Sequence, residues 1–256
     1  MRPTAVPQPA VTSVTPDTGS VSGGTLTLRG NDLGRVTEVL IGGQSAAIAS
    51  ATQHRVVVTV PAAQLFRAGS VPLVVKAKTK TVATKVSTYT YQVVTDVDRQ
   101  LSYAMTYWQN YNTAQWGDFN PLGGDCANFV SQTLLARGWT MNSEWYSYDN
   151  GTNWSPAWGY VPAMDAYFQQ NAAHLGLTEY PLSDRSSIKI GDLVVFFWKA
   201  GDTADHIMVV SGVRHVDGKI LISMVGHNDD YDYRDLDTTI TVDHPGATGH
   251  FWSIAN

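Results

Sequence analysis

Residues 123–138 read GGDCANFVSQTLLARG, and this stretch places the only cysteine of the 256-residue chain at a predicted helix start. The Gly-Gly pair allows a sharp turn into the helix, and Asp125 is a residue type preferred at the N-cap. Cys126 then lies in the first turn, where unpaired backbone N–H groups and the helix dipole favour a thiolate. Gly138 is suited to end the helix. The pattern therefore predicts a helix whose first residue has the chemistry of a nucleophile.

A second interpretation of Cys126 stays open at this point. A cysteine in a folded protein is more often a small buried apolar side chain than a nucleophile. Because the chain has one cysteine, an intrachain disulfide framework and a zinc site made of several cysteines are both excluded. A nucleophilic thiolate also needs a base, so the histidines decide between the two interpretations.

Two histidines stand where a predicted buried strand begins or ends. His206 follows the polar loop AGDTAD (200–205) and precedes the apolar run IMVVSGV. His227 follows SMVG at the end of the next strand, and Asp217-Gly218 predicts the hairpin turn between the two strands. Because a hairpin brings these strand ends together, we expect His206 to act as the base and His227 to orient it, as in a catalytic triad.

The net charge divides the chain into two parts. Residues 1–95 hold nine Lys and Arg against three Asp and Glu, which gives +6, whereas residues 96–256 hold eight against nineteen, which gives −11. All eight Trp and six of the seven His also fall in the second part. We therefore expect two folding units. The acidic second part disfavours a nucleic-acid partner, and the basic first part fits contact with an anionic surface.

Residues 9–94 have the pattern of an antiparallel β-sandwich. Short β-branched runs such as TLTLRG and RVVVTV alternate with Gly-rich and Pro-rich turns every 8 to 12 residues. The stretch VTSVTPDTGSVSGGTLTLRGNDL (11–33), with VLIGG, VVVTVP and TYTYQ after it, resembles an IPT/TIG domain. The resemblance implies an all-β immunoglobulin-like sandwich that serves as a binding or spacer module without chemistry of its own.

Residues 95–256 mix predicted helices with predicted strands. Apolar residues at helical spacing predict a helix over 97–111, and VPAMDAYFQQNA (161–172) predicts another. The later segments SIKIGDLVVFFWKA, HIMVVSGVRHV, KILISMVG and GHFWSIA are typical of strands. Helices that precede an antiparallel sheet indicate an α+β domain.

Several segments of this second part together resemble the amidase domain family. They are GGDCANFVSQ, the Trp-rich WYSYDNGTNWSPAW, IKIGDLVVFF, DHIMVVSGV and GHNDDYDYRDL (226–236). Members of the family look like relatives of the NlpC-type papain-like cysteine peptidases. The resemblance implies an α+β papain-like cysteine hydrolase domain, with Cys126 as nucleophile and His206 as general base. The third polar position falls at His227, with Asn228 as the alternative.

The same resemblance implies amide hydrolysis through a thioester intermediate. Asp125 is expected to cap the helix, the backbone N–H of Cys126 is expected to bind the oxyanion, and no metal or cofactor is expected. By analogy, the leading substrate is a bacterial cell-wall peptide, that is, peptidoglycan. Two alternatives stay open: a non-catalytic surface binding module, and a glutamine deamidase or acyl transferase that uses the same thiolate.

The remaining expectations concern substrate contacts and location. Aromatic side chains are expected to line a substrate groove, with the candidates Trp116, Trp145, Trp154 and Trp158. The acidic segment 228–237 lacks EF-hand spacing, so we expect a solvated loop and no metal site. No apolar run is long enough for a membrane span. The start, MRPTAVPQPAV, lacks the apolar region of a signal peptide, and we expect a secreted or cell-surface protein whose signal is missing from this sequence.

Overall fold

The computed structural model describes residues 8–199, 201 and 203–255. Residues 1–7, and Ala200 and Asp202 of the predicted loop before His206, lie outside the described residues. The chain forms two compact units, Met1–Asp98 and Arg99–Asn256. In the described part of the chain, no helix combines the length and the apolar character that a bilayer span requires.

The first unit consists of short β-strands. Their bounds are β1 (Ala10–Thr15), β2 (Thr18–Ser20), β3 (Gly24–Asn31), β4 (Glu38–Ile41), β5 (Gln44–Ser45), β6 (Ala47–Ala51), β7 (Arg55–Val60), β8 (Gly69–Ala77), β9 (Lys80–Thr81), β10 (Ala83–Thr84) and β11 (Thr88–Gln92). One sheet has the order β10-β1-β3-β7-β6, and the other has the order β2-β11-β8-β4-β5, with β9 beside β8. This confirms the predicted β-rich first domain.

Alternate residues are buried in both sheets of the first unit. Leu26 and Leu28 of β3, and Val39 and Ile41 of β4, are fully buried. This alternation is typical of two sheets that share one core. Most strand pairs are antiparallel as predicted, but the very short β10 and β2 pair in parallel with β1 and β11, respectively.

The second unit combines helices with an antiparallel sheet. The helices are α1 (Asp96–Tyr107), which begins before the division between the units, α2 (Thr113–Trp116), α3 (Cys126–Arg137), α4 (Pro156–Gly159), α5 (Val161–Leu175) and α6 (Leu236–Thr238). The strands are β12 (Ser147–Tyr148), β13 (Asn153–Trp154), β14 (Leu177–Pro181), β15 (Leu193–Phe197), β16 (His206–Val216), β17 (Lys219–Gly226), β18 (Tyr231–Asp235) and β19 (Thr248–Ile254).

Six of these strands form one sheet with the order β14-β19-β15-β16-β17-β18. Every neighbouring pair in it is antiparallel. The predicted hairpin turn joins β16 to β17, and both Asp217 and Gly218 have positive φ angles there. Strand β15 is buried along almost its whole length. The centre of the sheet therefore offers a rigid frame for side chains at the ends of β15, β16 and β17.

Helix α3 is buried on nearly all sides and packs against β16. It ends at Gly138, which has a φ of 117° and donates its N–H to the last turn, as predicted. A helix this deeply buried is unusual in carrying several polar side chains. Their hydrogen-bond partners explain much of the site described below.

Candidate active site

Cys126 is the first residue of α3 and lies between two hollows in the surface of the second unit. The first hollow has a volume of about 200 Å³ and the second about 220 Å³, and both are bordered by Cys126 and by the Gly-Gly pair before it. The cysteine is 6% exposed. The backbone N–H of Ile207 and that of Ala127 point at its sulfur. The start of β16 therefore lies directly against the thiol.

His206, the first residue of β16, borders the second hollow together with Cys126. Its ring is buried and lies 5.6 Å from the ring of Trp198, centroid to centroid, in a stacked orientation. Its Nε2 atom is buried and has no hydrogen-bond partner among the described residues. The structure thus brings the predicted nucleophile and the predicted base to one hollow.

Burial shifts the pKa values of both groups toward their neutral forms. Desolvation raises the pKa of the Cys126 thiol to about 11, and the Asp125 charge adds to this, although backbone N–H groups of Ile207 and Ala127 act in the opposite direction. Desolvation, with the nearby Arg234 and His244 charges, lowers the pKa of His206 to about 3. At neutral pH the unliganded site therefore holds a thiol and a neutral imidazole.

Asn228 also borders the second hollow, and both the oxygen and the nitrogen of its amide group form hydrogen bonds. Its Oδ1 accepts the backbone N–H of Asp125 at 2.7 Å and that of Cys126 at 3.0 Å. Its Nδ2 donates to Oδ1 of Asn120 at 2.7 Å. These bonds position the helix start that carries the thiol. They also occupy the Cys126 N–H, which we expected to be free for an oxyanion.

His227 is bonded to Asp125 and not to His206. Its Nδ1 lies 2.5 Å from Oδ2 of Asp125, and its Nε2 lies 2.9 Å from the carbonyl oxygen of Tyr107. The ring is stacked between those of Tyr111 and Phe129, with centroids 3.6 Å and 3.9 Å away. Both ring nitrogens therefore face hydrogen-bond acceptors, a carboxylate and a carbonyl, and neither is bonded to His206. The expected role of His227 as the orienter of His206 does not fit this geometry.

The end of β17 explains this difference. The strand ends at Gly226, and its last pair with β16 joins Val225 to Val209. His227 and Asn228 lie in the turn that follows, where Asn228 has a φ of 61°. The alternation of side chains along a strand does not extend into a turn, so the predicted hairpin did not determine which of the two side chains meets His206. Of the two residues considered for the third position, only Asn228 borders the hollow that holds His206.

Asp125 occupies the N-cap position, but its side chain does not cap α3. Its Oδ1 accepts the N–H of Phe119 at 3.0 Å and the Nδ2 group of Asn128 at 2.9 Å, and its Oδ2 faces His227. The carboxylate thus joins the loop before the helix to the residues behind it. The expected helix cap is corrected to a buried anchor, because the first-turn N–H groups meet Asn228 and the sulfur instead.

Comparison with known families identifies both parts of the chain. The model of the family described as "Putative amidase domain" matches residues 94–252, more than half of the chain. The chain belongs to this amidase domain family. An IPT/TIG domain precedes it at residues 9–93. Membership points to amide hydrolysis in general. No curated protein matches the chain.

Solved structures resemble the chain only weakly. The extracellular region of plexin A4 matches 34% of this chain at 16% identity and a TM-score of 0.29, over 9% of its own length. An auxiliary nutrient binding protein from Bacteroides thetaiotaomicron matches 34% of this chain at 22% identity and a TM-score of 0.25, over 21% of its length. SGBP-B of the Bacteroides ovatus mixed-linkage glucan locus, in complex with a heptasaccharide, matches 97% at 12% identity and a TM-score of 0.29, over 52% of its length. These TM-scores carry no inference about function.

The tryptophans predicted to bind substrate in the amidase domain are mostly core residues. Trp145 and Trp158 are fully buried, Trp116 is 7% exposed, and their rings pack together with centroids about 5 Å apart. Trp154 is half-buried against Phe119. None of the four borders either hollow at Cys126, in contrast to the prediction. Sequence composition alone could not show whether these tryptophans line a substrate groove or pack in the domain core.

Three polar residues of the GGDCANFVSQ signature accept hydrogen bonds from buried aromatic side chains. Asn128 Oδ1 accepts the indole N–H of Trp158 at 2.7 Å, and Ser131 Oγ accepts that of Trp145 at 3.0 Å. Gln132 accepts the hydroxyl of Tyr103 at 2.8 Å. Each polar side chain therefore satisfies a buried donor, which is why a helix buried on nearly all sides can carry them.

Sequence reasoning missed five residues that border the second hollow, namely Trp198, Asp205, Asp229, Arg234 and His244. Trp198 and His244 stack with ring centroids 3.8 Å apart. Trp198 follows β15, which pairs with the strand that begins at His206, so the position of the tryptophan was a usable signal. Arg234 lies inside the segment predicted as a solvated acidic loop, part of which forms β18. Within the described ranges, no group of three or more His, Cys, Asp or Glu could hold a metal.

Proposed function

We propose that the second unit is a cysteine amidohydrolase with a papain-like arrangement of nucleophile and base. The observation that supports this most is the placement of Cys126 and His206 on one hollow, with the sulfur at a helix start and against the backbone N–H of Ile207 in β16. A purely structural cysteine requires no buried histidine beside it. Membership in the amidase domain family supports the same reaction class.

The pKa directions favour proton removal by His206 during attack over a preformed thiolate–imidazolium pair. Because burial keeps the thiol and the imidazole neutral at rest, His206 removes the Cys126 proton as the sulfur attacks the amide carbonyl. The imidazolium then protonates the leaving amine, which breaks the C–N bond and leaves a thioester. Water, deprotonated by His206, hydrolyses the thioester and regenerates the thiol. A preformed thiolate–imidazolium pair is not needed.

Oxyanion stabilisation in this mechanism involves the loop that carries Asn228. The N–H of Cys126 belongs to the residue that carries the attacking sulfur, and it is bonded to Asn228 at 3.0 Å. We propose that the oxyanion replaces the Asn228 oxygen at this N–H during the reaction. A donor fixed in position before the reaction lowers the barrier because it needs little reorganisation. Asn228 thus holds that donor in place until the substrate carbonyl arrives.

For the substrate we propose a bacterial cell-wall peptide, by analogy with the NlpC-type peptidases. Its amide bonds match the reaction class, and the basic first domain would suit an anionic wall polymer at the cell surface. A binding module that performs no chemistry, and a deamidase or acyl transferase, are the alternatives that the experiment below separates. The deamidase and the acyl transferase would form the same kind of thioester as the peptidase. They differ from it in the bond that is cleaved or in the group that accepts the acyl chain.

The test incubates wild-type protein and Cys126→Ala with purified cell-wall peptides and analyses products and protein by mass. We expect fragments with a new carboxyl group from the wild type only, and a trapped acyl adduct on Cys126 in rapidly quenched samples. His206→Ala should lose at least a hundredfold in rate. His215→Ala is the matched control, because His215 is exposed on the same strand.

Three other outcomes would each point elsewhere. Binding of the peptide without release of a fragment by the wild type would favour the binding module. A mass increase of one unit at a glutamine would favour deamidation, and a joined product would favour acyl transfer. Full activity in Cys126→Ala would rule out the cysteine mechanism altogether.

A further inference from the structure

The hollow that holds Cys126 and His206 also contains a buried guanidinium group. Arg234 of β18 borders it beside Trp198 and His244. Arg234 is 7% exposed, and its guanidinium carbon lies 4.6 Å from the centroid of the Tyr231 ring. A buried cation is costly unless its hydrogen-bond donors and its charge are both matched.

The partners of Arg234 match neither all of its hydrogen-bond donors nor all of its charge. A guanidinium carries five N–H donors. Nη2 donates to Oδ2 of Asp243 at 3.0 Å, whereas Nε is buried and lacks a partner among the described residues. The Asp243 side chain is 34% exposed, so solvent screens its charge in part. An anionic ligand with two oxygens would complete the pairing, because carboxylates and guanidinium groups match in geometry.

The other charged groups around the hollow do not cancel the attraction of Arg234 for an anion. His244 stacks on Trp198 and is the second nearby charge that acts on His206. The carboxylates at the rim, Asp205 and Asp229, are both exposed. Asp205 also accepts the backbone N–H of Trp198 at 2.8 Å. Water screens these exposed carboxylates more strongly than the buried guanidinium, so the interior of the hollow favours an anion.

The two hollows differ in a way that orients the substrate, provided that the proposed amidase chemistry holds. Among the described residues around the first hollow, such as Leu122, Tyr160 and Pro162, none is cationic. His206 and Arg234 border only the second hollow. The group that takes the thiol proton must later give it to the leaving amine, so the leaving amine has to lie beside His206. The acyl part of the substrate then extends into the first hollow.

We propose that Arg234 binds a carboxylate on the leaving-amine side of the scissile bond. The substrate is then a peptide or N-acyl amino acid whose released amine is an amino acid with a free carboxylate. Hydrolysis of such a bond consumes one water, breaks the C–N bond and yields an acid and an amino acid. The carboxylate is present in both substrate and product, so Arg234 contributes to binding and to specificity.

The experiment compares alkylation of Cys126 by iodoacetate and by iodoacetamide, which have similar size and differ in charge. Rates are measured by intact mass at pH 10, where arginine stays charged and more of the thiol is ionised. Each iodoacetate-to-iodoacetamide ratio is divided by the ratio for glutathione. We expect the normalised ratio to fall about tenfold in Arg234→Gln. Since both reagents need the same thiolate, the ratio isolates the effect of the anion.

Two further variants keep the experiment decisive if Arg234→Gln folds poorly. Asp243→Asn removes the competing carboxylate and should raise the ratio several-fold. Arg214→Gln, an exposed arginine on β16, is the matched control and should leave the ratio unchanged. Equal ratios in wild type, Arg234→Gln and Asp243→Asn would overturn the carboxylate subsite.

This outcome is independent of the proposed amidase activity, because alkylation needs only the thiol and the hollow. A second readout tests the substrate class directly with N-acetylated cell-wall peptides that end in a free carboxylate or in a carboxamide. We expect the wild type to prefer the free acid at least tenfold through KM, and Arg234→Gln to lose that preference. Cleavage of both peptides at equal rates would overturn the leaving-group assignment and leave the amidase intact. Cleavage of neither, with the alkylation ratio as expected, would count against the amidase alone.

Discussion

The amide oxygen of Asn228 accepts a hydrogen bond from the backbone N–H of Cys126 at 3.0 Å, although the two residues lie 102 positions apart. It accepts the N–H of Asp125 as well, at 2.7 Å. A Cβ added at Gly124 would lie 3.2 Å from this oxygen, and Gly124 has a φ of 144°. The approach of Asn228 and the backbone conformation both favour glycine at this position. The turn after β17 therefore holds the start of α3 in place.

Asn228→Ala removes the acceptor of both N–H groups. We expect the free energy of unfolding to fall by about 1–3 kcal/mol, because two partly buried donors lose their partner. We also expect amide hydrolysis to slow about tenfold, because the helix start loses its support. Urea unfolding and product release measure the two effects. Asn228→Asp keeps an acceptor oxygen and should lose less stability, so equal losses in both variants would contradict this account.

His227→Phe tests the buried pair between His227 and Asp125. The substitution keeps an aromatic ring between Tyr111 and Phe129 but leaves the Asp125 carboxylate without its His227 hydrogen bond. We expect a loss of about 1–3 kcal/mol in unfolding free energy, because a buried acceptor loses its partner. In the background of Asp125→Asn the same substitution should cost less. A double-mutant cycle with no coupling would show that the two side chains do not stabilise each other.

The pH dependence of Cys126 alkylation follows from its raised pKa. A pKa of about 11 means that the thiolate fraction at pH 7 is far below that of a free cysteine, and that it grows up to pH 11. Iodoacetamide should therefore label the unliganded protein more slowly than glutathione at pH 7. The gap should narrow as the pH rises. A rate that is already constant between pH 6 and pH 9 would instead indicate a preformed thiolate.

The lowered pKa of His206 makes the protein sensitive to acid. Between its folded pKa of about 3 and its ordinary value of 6.5, the unfolded chain binds a proton that the folded chain does not. Acidification through this range therefore favours unfolding, by about 1 kcal/mol per pH unit. His206→Gln lacks this proton, so the stability of the wild type relative to the variant should fall from pH 7 to pH 5. An equal stability difference between the two proteins at pH 7 and at pH 5 would contradict this account.

Substitutions at two tryptophans distinguish a side chain that stabilises the core from one that borders the candidate active site. Trp145→Leu replaces a fully buried indole, and we expect a loss of about 3–5 kcal/mol in stability. Trp198→Leu alters a side chain that borders the hollow beside His206, so we expect KM to rise several-fold with a smaller loss of stability. Thermal unfolding and steady-state kinetics distinguish the two. A raised KM in Trp145→Leu without a loss of stability would instead indicate that Trp145 contacts the substrate.

Local sequence alone predicted much of the architecture. Strand alternation indicated the β-rich first domain, and helical spacing with Gly138 indicated α3 and its end. These features depend on residues close together in the chain, where backbone preferences and turn chemistry act directly. The prediction that Cys126 starts a helix has the same origin. The resemblance to the amidase domain family was confirmed over residues 94–252.

Only the tertiary structure decided which polar groups meet. Which of His227 and Asn228 borders the hollow of His206 depends on the turn after β17, where Asn228 has a φ of 61°. Whether Trp145 binds substrate or fills the core depends on packing against Ser131 and Trp158, which are distant in sequence. The sequence identifies Arg234 as a cation, but its burial beside His206 results from the pairing of β18 with β17. Long-range contacts set burial, and burial sets the chemistry of these groups.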